Sequence, residues 1–149
     1  MRSVVQRVLS AKVEVDGEVV GSIDKGLLVF VGTVQGDTAT DAAFMATKIA
    51  GLRIFSDENG KMNLDLGQVN GSVLLVSQFT LAGDARKGKR PDFTSSGDPS
   101  EAVKLLKEIK DQLIKAQIPV QTGIFGAHMK VSLINDGPVT ILLDSRKVF

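Results

Sequence analysis

Four stretches of the chain hold residues that could do chemistry. Ser77-Gln78-Phe79-Thr80 closes the apolar run Val73 to Val76. Polar residues at the end of a buried strand stand where open α/β sheets bind their ligands. They can equally satisfy the strand's own last backbone groups. Thr80 has no base beside it in sequence, so nothing local would activate it as a nucleophile. Gly83-Asp84-Ala85-Arg86-Lys87-Gly88-Lys89-Arg90 comes close to the phosphate-loop pattern G-x-x-x-x-G-K-[ST]. Arg90 stands where that pattern needs a hydroxyl, and Pro91 follows where a helix should begin, so the pattern is rejected. What remains is the cation set Arg86, Lys87, Lys89 and Arg90, which is either a solvated loop or a patch for a phosphate backbone. His128 lies in Phe125-Gly126-Ala127-His128-Met129, and a lone histidine reads as a surface or satisfied core residue rather than a catalyst. Asn135-Asp136-Gly137-Pro138 contains an Asp-Gly pair and reads as a hairpin tip. Pro138 removes one ladder donor there. X-Pro bonds are cis in only about 5% of folded cases, so residues alone predict a trans Gly137-Pro138 bond.

The inventory around these stretches is sparse. The chain has no cysteine and one histidine. That excludes disulfides, thiolate metal sites, iron–sulfur clusters and a cysteine nucleophile. It also excludes any site built on two histidines of one subunit, and a Ser-His-Asp triad could use only His128. Neither a metal nor a cofactor is expected. Lys and Arg total 18 against 17 Asp and Glu, for a formal net charge of +1. A polybasic tail or an acidic solvating protein is ruled out, while a local basic patch is not.

The elements that must position these residues follow from pattern. A chain of 149 residues, 43% hydrophobic and 23% charged, is a single globular domain over residues 1–149. Val4 to Leu9 alternates, Val13 and Val15 lead into an Asp16-Gly17 hairpin turn, and Leu27 to Val31 reads as a buried strand. Ala42, Met45, Ile49 and Leu52 recur at helical spacing behind Asp37 or Thr38 as N-cap. Arg53 to Ser56 reads as a short strand, Asp57-Glu58-Asn59-Gly60 as a turn, and Val73 to Val76 as a second buried strand. Residues 82 to 99 form a long loop, the kind that usually carries function. Asp98-Pro99-Ser100-Glu101 then starts a helix with the stripe Val103, Leu106, Ile109 and Leu113, stopped by Pro119. Met129 to Ile134 and Val139 to Leu143 are strands. The fold class is α/β, with two β-sheets or one mixed sheet and two main helices packed on one side. The first residues lack the apolar core of a signal peptide. Leu27 to Val31, the longest apolar run, is too short to span a bilayer. The expectation is a cytoplasmic protein with no membrane partner.

Taken together, these stretches resemble the D-aminoacyl-tRNA deacylase family, also called D-tyrosyl-tRNA deacylases, nearly end to end. The likeness opens with Gln6-Arg7-Val8, Gly26-Leu27-Leu28, Leu52-Arg53-Ile54-Phe55-Ser56-Asp57 and Gly60-Lys61-Met62-Asn63. Its most specific elements are Ser77-Gln78-Phe79-Thr80-Leu81 and Asn135-Asp136-Gly137-Pro138-Val139-Thr140, with Gly88-Lys89-Arg90-Pro91 and Thr122-Gly123-Ile124-Phe125-Gly126-Ala127 between them. Asp92 departs from the small polar residue usual after the Arg-Pro pair. His128 stands at a variable position, often acidic, which argues further against a catalytic histidine.

The resemblance implies a homodimer, with its active sites at the subunit interface, that hydrolyses the ester joining a D-amino acid to the tRNA 3′ end. It implies a cis Gly137-Pro138 bond inserted into the partner's pocket, no protein nucleophile, and help from the 2′-hydroxyl of the terminal adenosine. Such an ester is already activated, so a site must chiefly position water and stabilise an oxyanion. Backbone N–H groups around Gln78, Phe79 and Thr80 are the expected donors. Ser77, Phe125, Met129, Gly137 and Pro138 are the expected substrate contacts, and Arg86, Lys87, Lys89 and Arg90 the expected tRNA contacts. A backbone wall at Gly137 would reject L substrates yet pass glycyl-tRNA, since glycine carries hydrogen on both faces. Two alternatives stay open: Thr80 as nucleophile in the same deacylase, and a non-catalytic tRNA-binding module. The latter calls for exposed aromatics, and the chain has no Trp, no Tyr and seven Phe.

Overall fold

Residues 2 to 15 form one long strand that organises everything else in the computed structural model, which describes residues 1–149. This strand, β1 (Arg2–Val15), pairs antiparallel with β2 (Glu18–Ile23) along its second half and with β3 (Gly26–Gly32) along its first half. The Asp16-Gly17 turn joins β1 to β2 as expected. Helix α1 (Ala39–Gly51) starts at Thr38, which forms a reciprocal capping box with Asp41. A two-stranded sheet of β4 (Phe55–Ser56) and β5 (Met62–Leu64) follows. Then come β6 (Ser72–Ser77), a 3-10 turn (Phe79–Ala82), α2 (Pro99–Lys115), β7 (Val120–Thr122) and β8 (Lys130–Asp144).

The main sheet runs β2-β1-β3-β6-β7, with β8 on the other edge of β1. The pairs β3–β6 and β6–β7 are parallel, so the sheet is mixed. Both helices cover the same face. Leu27, Val29, Val31, Val73 and Leu75 pack there against Met45 and Ile49 of α1 and Leu105, Ile109 and Leu113 of α2. Each such side chain stabilises the fold by about 1.5–3 kcal/mol when taken fully out of water. The opposite face buries Leu28, Leu74 and Val76 beneath the curled second half of β1 and Ile23 of β2. That curl brings β2 onto β7 at Gly21, where a Cβ would lie 2.4 Å from the Thr122 carbonyl oxygen. No helix is long and apolar enough to cross a membrane.

Two expectations change. The buried stripe of α2 is Ala102, Leu105, Ile109 and Leu113; Val103 is exposed and Leu106 half-buried. Asn135 to Pro138 is not a hairpin tip. The segments on either side of it both pair with β1, from Glu14↔Lys130 to Arg2↔Asp144, so they are one strand. The register shifts where Gln6 faces Thr140 and Val8 faces Asn135, and residues 136–139 bulge out between those pairs.

Candidate active site

The parallel strands β3 and β6 end side by side, and their C-terminal ends floor a cleft of about 500 Å³. Thr33 and Ser77 lie at that floor, Pro99, Ala102 and Leu106 of α2 form one wall, and the segment after β7 forms the other. This is the edge at which α/β sheets bind ligands. Of the residues expected at a site, Ser77, Gln78, Phe79, Phe125 and Met129 meet in this one cleft. Beside them is His128, exposed at the rim, which sequence reasoning set aside. It is the only titratable side chain lining the cleft.

The chain turns sharply at Gln78, whose N–H donates to the Val31 carbonyl at 2.8 Å. The 3-10 turn begins there with Leu81 N–H donating to the Gln78 carbonyl at 3.2 Å. The amides of Phe79 and Thr80 lie ahead of that first bond and are not used by the turn itself. Thr80 is exposed, and its hydroxyl accepts from the Gln78 side-chain amide. No carboxylate or imidazole bonds to it.

Three contacts hold this turn in place. Arg2 Nη1 donates to the Leu81 carbonyl at 3.1 Å while its Nε pairs with Asp144 at 3.3 Å. Phe93 packs edge-on against Phe79 with ring centres 5.3 Å apart. Ser95 Oγ donates to the Ala82 carbonyl at 2.8 Å. Residues 83 to 97 are therefore not a structureless loop. Asp84 and Asp92 exchange backbone bonds at 2.7 and 2.9 Å, and the basic residues ride on the tip between them.

The cations at that tip are not equivalent. Arg86 is locked to Asp84, with Nε 2.9 and 3.0 Å from the two carboxylate oxygens and Nη2 2.5 Å from one of them. These bonds, first among several causes, lower the Asp84 carboxyl to about 2 and raise the Arg86 guanidinium. Lys87, Lys89 and Arg90 are exposed and make no ion pair. None of the four lines the cleft.

Gly137 and Pro138 also lie outside the cleft of their own chain, on the β8 bulge, both of them exposed. The peptide bond between them is cis, against the expectation from residues alone. Arg7, buried on β1, grips this bulge. Its role went unread in the sequence; the available signal was a cation in an apolar strand, on the same face as Val5. Asn135 Oδ1 accepts from Val139 N–H at 2.9 Å and closes the loop from inside.

Residues 4–144 match the sequence model of the family described as D-Tyr-tRNA(Tyr) deacylase. The chain is 56% identical, over the full length of both, to the D-aminoacyl-tRNA deacylase of Thermosipho africanus (strain TCF52B). Among solved structures it is similar to the c-Myc DNA Unwinding Element Binding Protein, with a TM-score of 0.90 and 38% identity over 97% of this chain and 98% of that one. A probable eukaryotic D-amino acid tRNA deacylase shares the fold, with a TM-score of 0.80 and 16% identity over 95% of this chain and 97% of that one.

Proposed function

The chain belongs to the D-Tyr-tRNA(Tyr) deacylase family, and we propose that this D-aminoacyl-tRNA ester hydrolase completes its site with a second copy of the chain and draws part of its chemistry from the substrate. The makeup of the cleft carries this reading. Its polar side chains are those of Thr33, Ser77, Gln78 and His128, and no Asp, Glu, Lys or Arg lines it.

An aminoacyl ester needs little more. Water adds to the carbonyl carbon, and the carbonyl electron pair moves onto oxygen. The N–H groups of Phe79 and Thr80 stabilise that oxyanion, a preorganised arrangement worth more in a dry site than in water. The intermediate collapses, the bond to the ribose 3′ oxygen breaks, and that oxygen takes a proton. Free amino acid and tRNA leave. The 2′-hydroxyl beside the ester relays the proton, since no carboxylate or amine lines the cleft and its one titratable side chain, His128, is exposed at the rim. Thr80 as nucleophile has no support, because its hydroxyl contacts only the Gln78 amide, which is no base.

Ser77, Gln78, Phe125 and Met129 hold the aminoacyl-adenosine. The partner's Gly137 and Pro138 close the cleft and offer carbonyls to the substrate ammonium. The projection of this bulge from the single chain supports the reading, as does the exposed apolar Leu142 on the same strand. Two such copies meet isologously, each lending its loop to the other. Backbone at Gly137 then leaves room only for hydrogen on one face of Cα, so L substrates clash. The basic tip meets tRNA phosphates, and the enzyme works in the cytoplasm, where charged tRNA is used.

The test is deacylation of D-Tyr-tRNA and L-Tyr-tRNA at matched concentrations. Loss of the D ester with the L ester retained is expected. Equal rates on both, or none on either, would overturn the reading.

A further inference from the structure

A second cavity of about 330 Å³ continues from the cleft along the flank of α2. Ser77, Leu106 and Phe125 line both cavities, so the two lie side by side. Beyond them the second is walled by Val103, Lys107 and Lys110 on α2 and by Thr122 and Gly123 at the end of β7. Val103 is 46% exposed and Phe125 43% exposed, two large apolar side chains left open on one groove. Lys107 is paired with Asp111 at 2.5 Å. Lys110 is half-buried, lines the groove and has no carboxylate partner.

Apolar or aromatic platforms beside an unpaired cation are the equipment that binds single-stranded nucleic acid without reading its sequence. Resting on the D-aminoacyl-tRNA reading above, we propose that this groove takes the nucleotide preceding the terminal adenosine. Its base lies against Phe125 and Val103, and a backbone phosphate lies beside Lys110. The cleft holds the terminal adenosine and its amino acid, and the strand passes to the adjacent groove over the residues that line both, Leu106 and Phe125. The cations at the loop tip line neither cavity, so they meet a more distant part of the tRNA.

The experiment compares D-tyrosyl-adenosine, which lacks a 5′ phosphate, with the D-tyrosyl ester of the dinucleotide cytidylyl-adenosine and with D-Tyr-tRNA. The quantity read is the ratio of kcat/KM on the dinucleotide ester to that on the nucleoside ester. In the wild type the dinucleotide is the better substrate. Lys110→Glu lowers the ratio about tenfold, through removal of one charge-assisted hydrogen bond. Lys110→Met, which keeps the apolar stem, lowers it in the same direction. Lys104→Glu, outside the groove, keeps the wild-type ratio. An unchanged ratio in Lys110→Glu, or an equal fall in Lys104→Glu, overturns the groove assignment while D-Tyr-tRNA hydrolysis by the wild type leaves the parent reading standing. A wild type inert on D-Tyr-tRNA overturns both.

Discussion

Arg7 Nε donates to the Asp136 carbonyl oxygen at 2.9 Å, so a buried cation of the first strand fixes the loop that presents Gly137 and Pro138. The same guanidinium donates through Nη1 to the Ile54 carbonyl at 2.7 Å and lies 3.3 Å from the Asp136 carboxylate. A planar fork reaches both carbonyls, and a lysine ammonium on a flexible stem does not. Arg7→Lys is therefore expected to lower kcat on D-Tyr-tRNA with KM near the wild-type value. Arg7→Ala should also destabilise the fold by about 2 kcal/mol, because the buried Ile54 carbonyl loses its donor. Steady-state kinetics and urea unfolding check the pair. Unchanged kcat in Arg7→Lys would mean the grip has no bearing on catalysis.

Gly137 has φ +143°, and a Cβ there would lie 2.7 Å from Val139 Cγ2 and 2.9 Å from Val139 N. Such a conformation costs a side chain about 1–3 kcal/mol. Gly137→Ala should thus reduce D-Tyr-tRNA hydrolysis by displacing the loop, without creating activity on L-Tyr-tRNA. The wild type should hydrolyse glycyl-tRNA, since a backbone wall has no side chain to meet. Complete sparing of glycyl-tRNA at enzyme levels that clear D-Tyr-tRNA would assign the choice to a side-chain pocket instead.

The Thr80 hydroxyl accepts a bond from Gln78 and faces no base. Thr80→Ala is expected to keep most of its activity, whereas a substrate ending in 2′-deoxyadenosine should be nearly inert. Single-turnover deacylation of both substrates by both proteins separates the roles. An acyl-enzyme trapped on Thr80 would reverse the assignment.

At the loop tip, Arg86 is already paired with Asp84, and Lys87, Lys89 and Arg90 are not. Removing any one of the unpaired three should flatten the plot of log tRNA affinity against log salt by about 0.9 for each duplex phosphate no longer neutralised. Arg86→Ala should leave the slope near wild type. A slope unmoved by removing all three would make the tip a solvated surface.

Much of this arrangement was legible because local chemistry and tertiary structure agree. Asp98, accepting from the amides of Ser100 and Glu101, starts α2 at the residue that capping rules select. Where reading failed, the deciding interaction was remote. Leu105 and Leu106 are adjacent and both apolar, so periodicity could not choose between two stripes one residue apart; packing against the sheet chose Leu105 and left Val103 to the groove. Asn135 to Pro138 carries hairpin chemistry, yet both of its flanks pair with β1, more than a hundred residues away. His128 gave no signal beyond being alone, and only the fold of residues 123–129 brings it into the cleft that Gln78 lines.

The central claim is that each cleft is finished by the other subunit's Gly137 loop. Gln78→Ala removes the cleft's side-chain amide, Gly137→Ala distorts the loop, and each variant alone should be close to inactive. Mixed in equal amounts under conditions where subunits exchange, about half of the dimers are heterodimers with one intact site, so activity should return to about a quarter of wild type. No recovery in any mixture, while wild-type subunits exchange freely under the same conditions, would contradict the shared site.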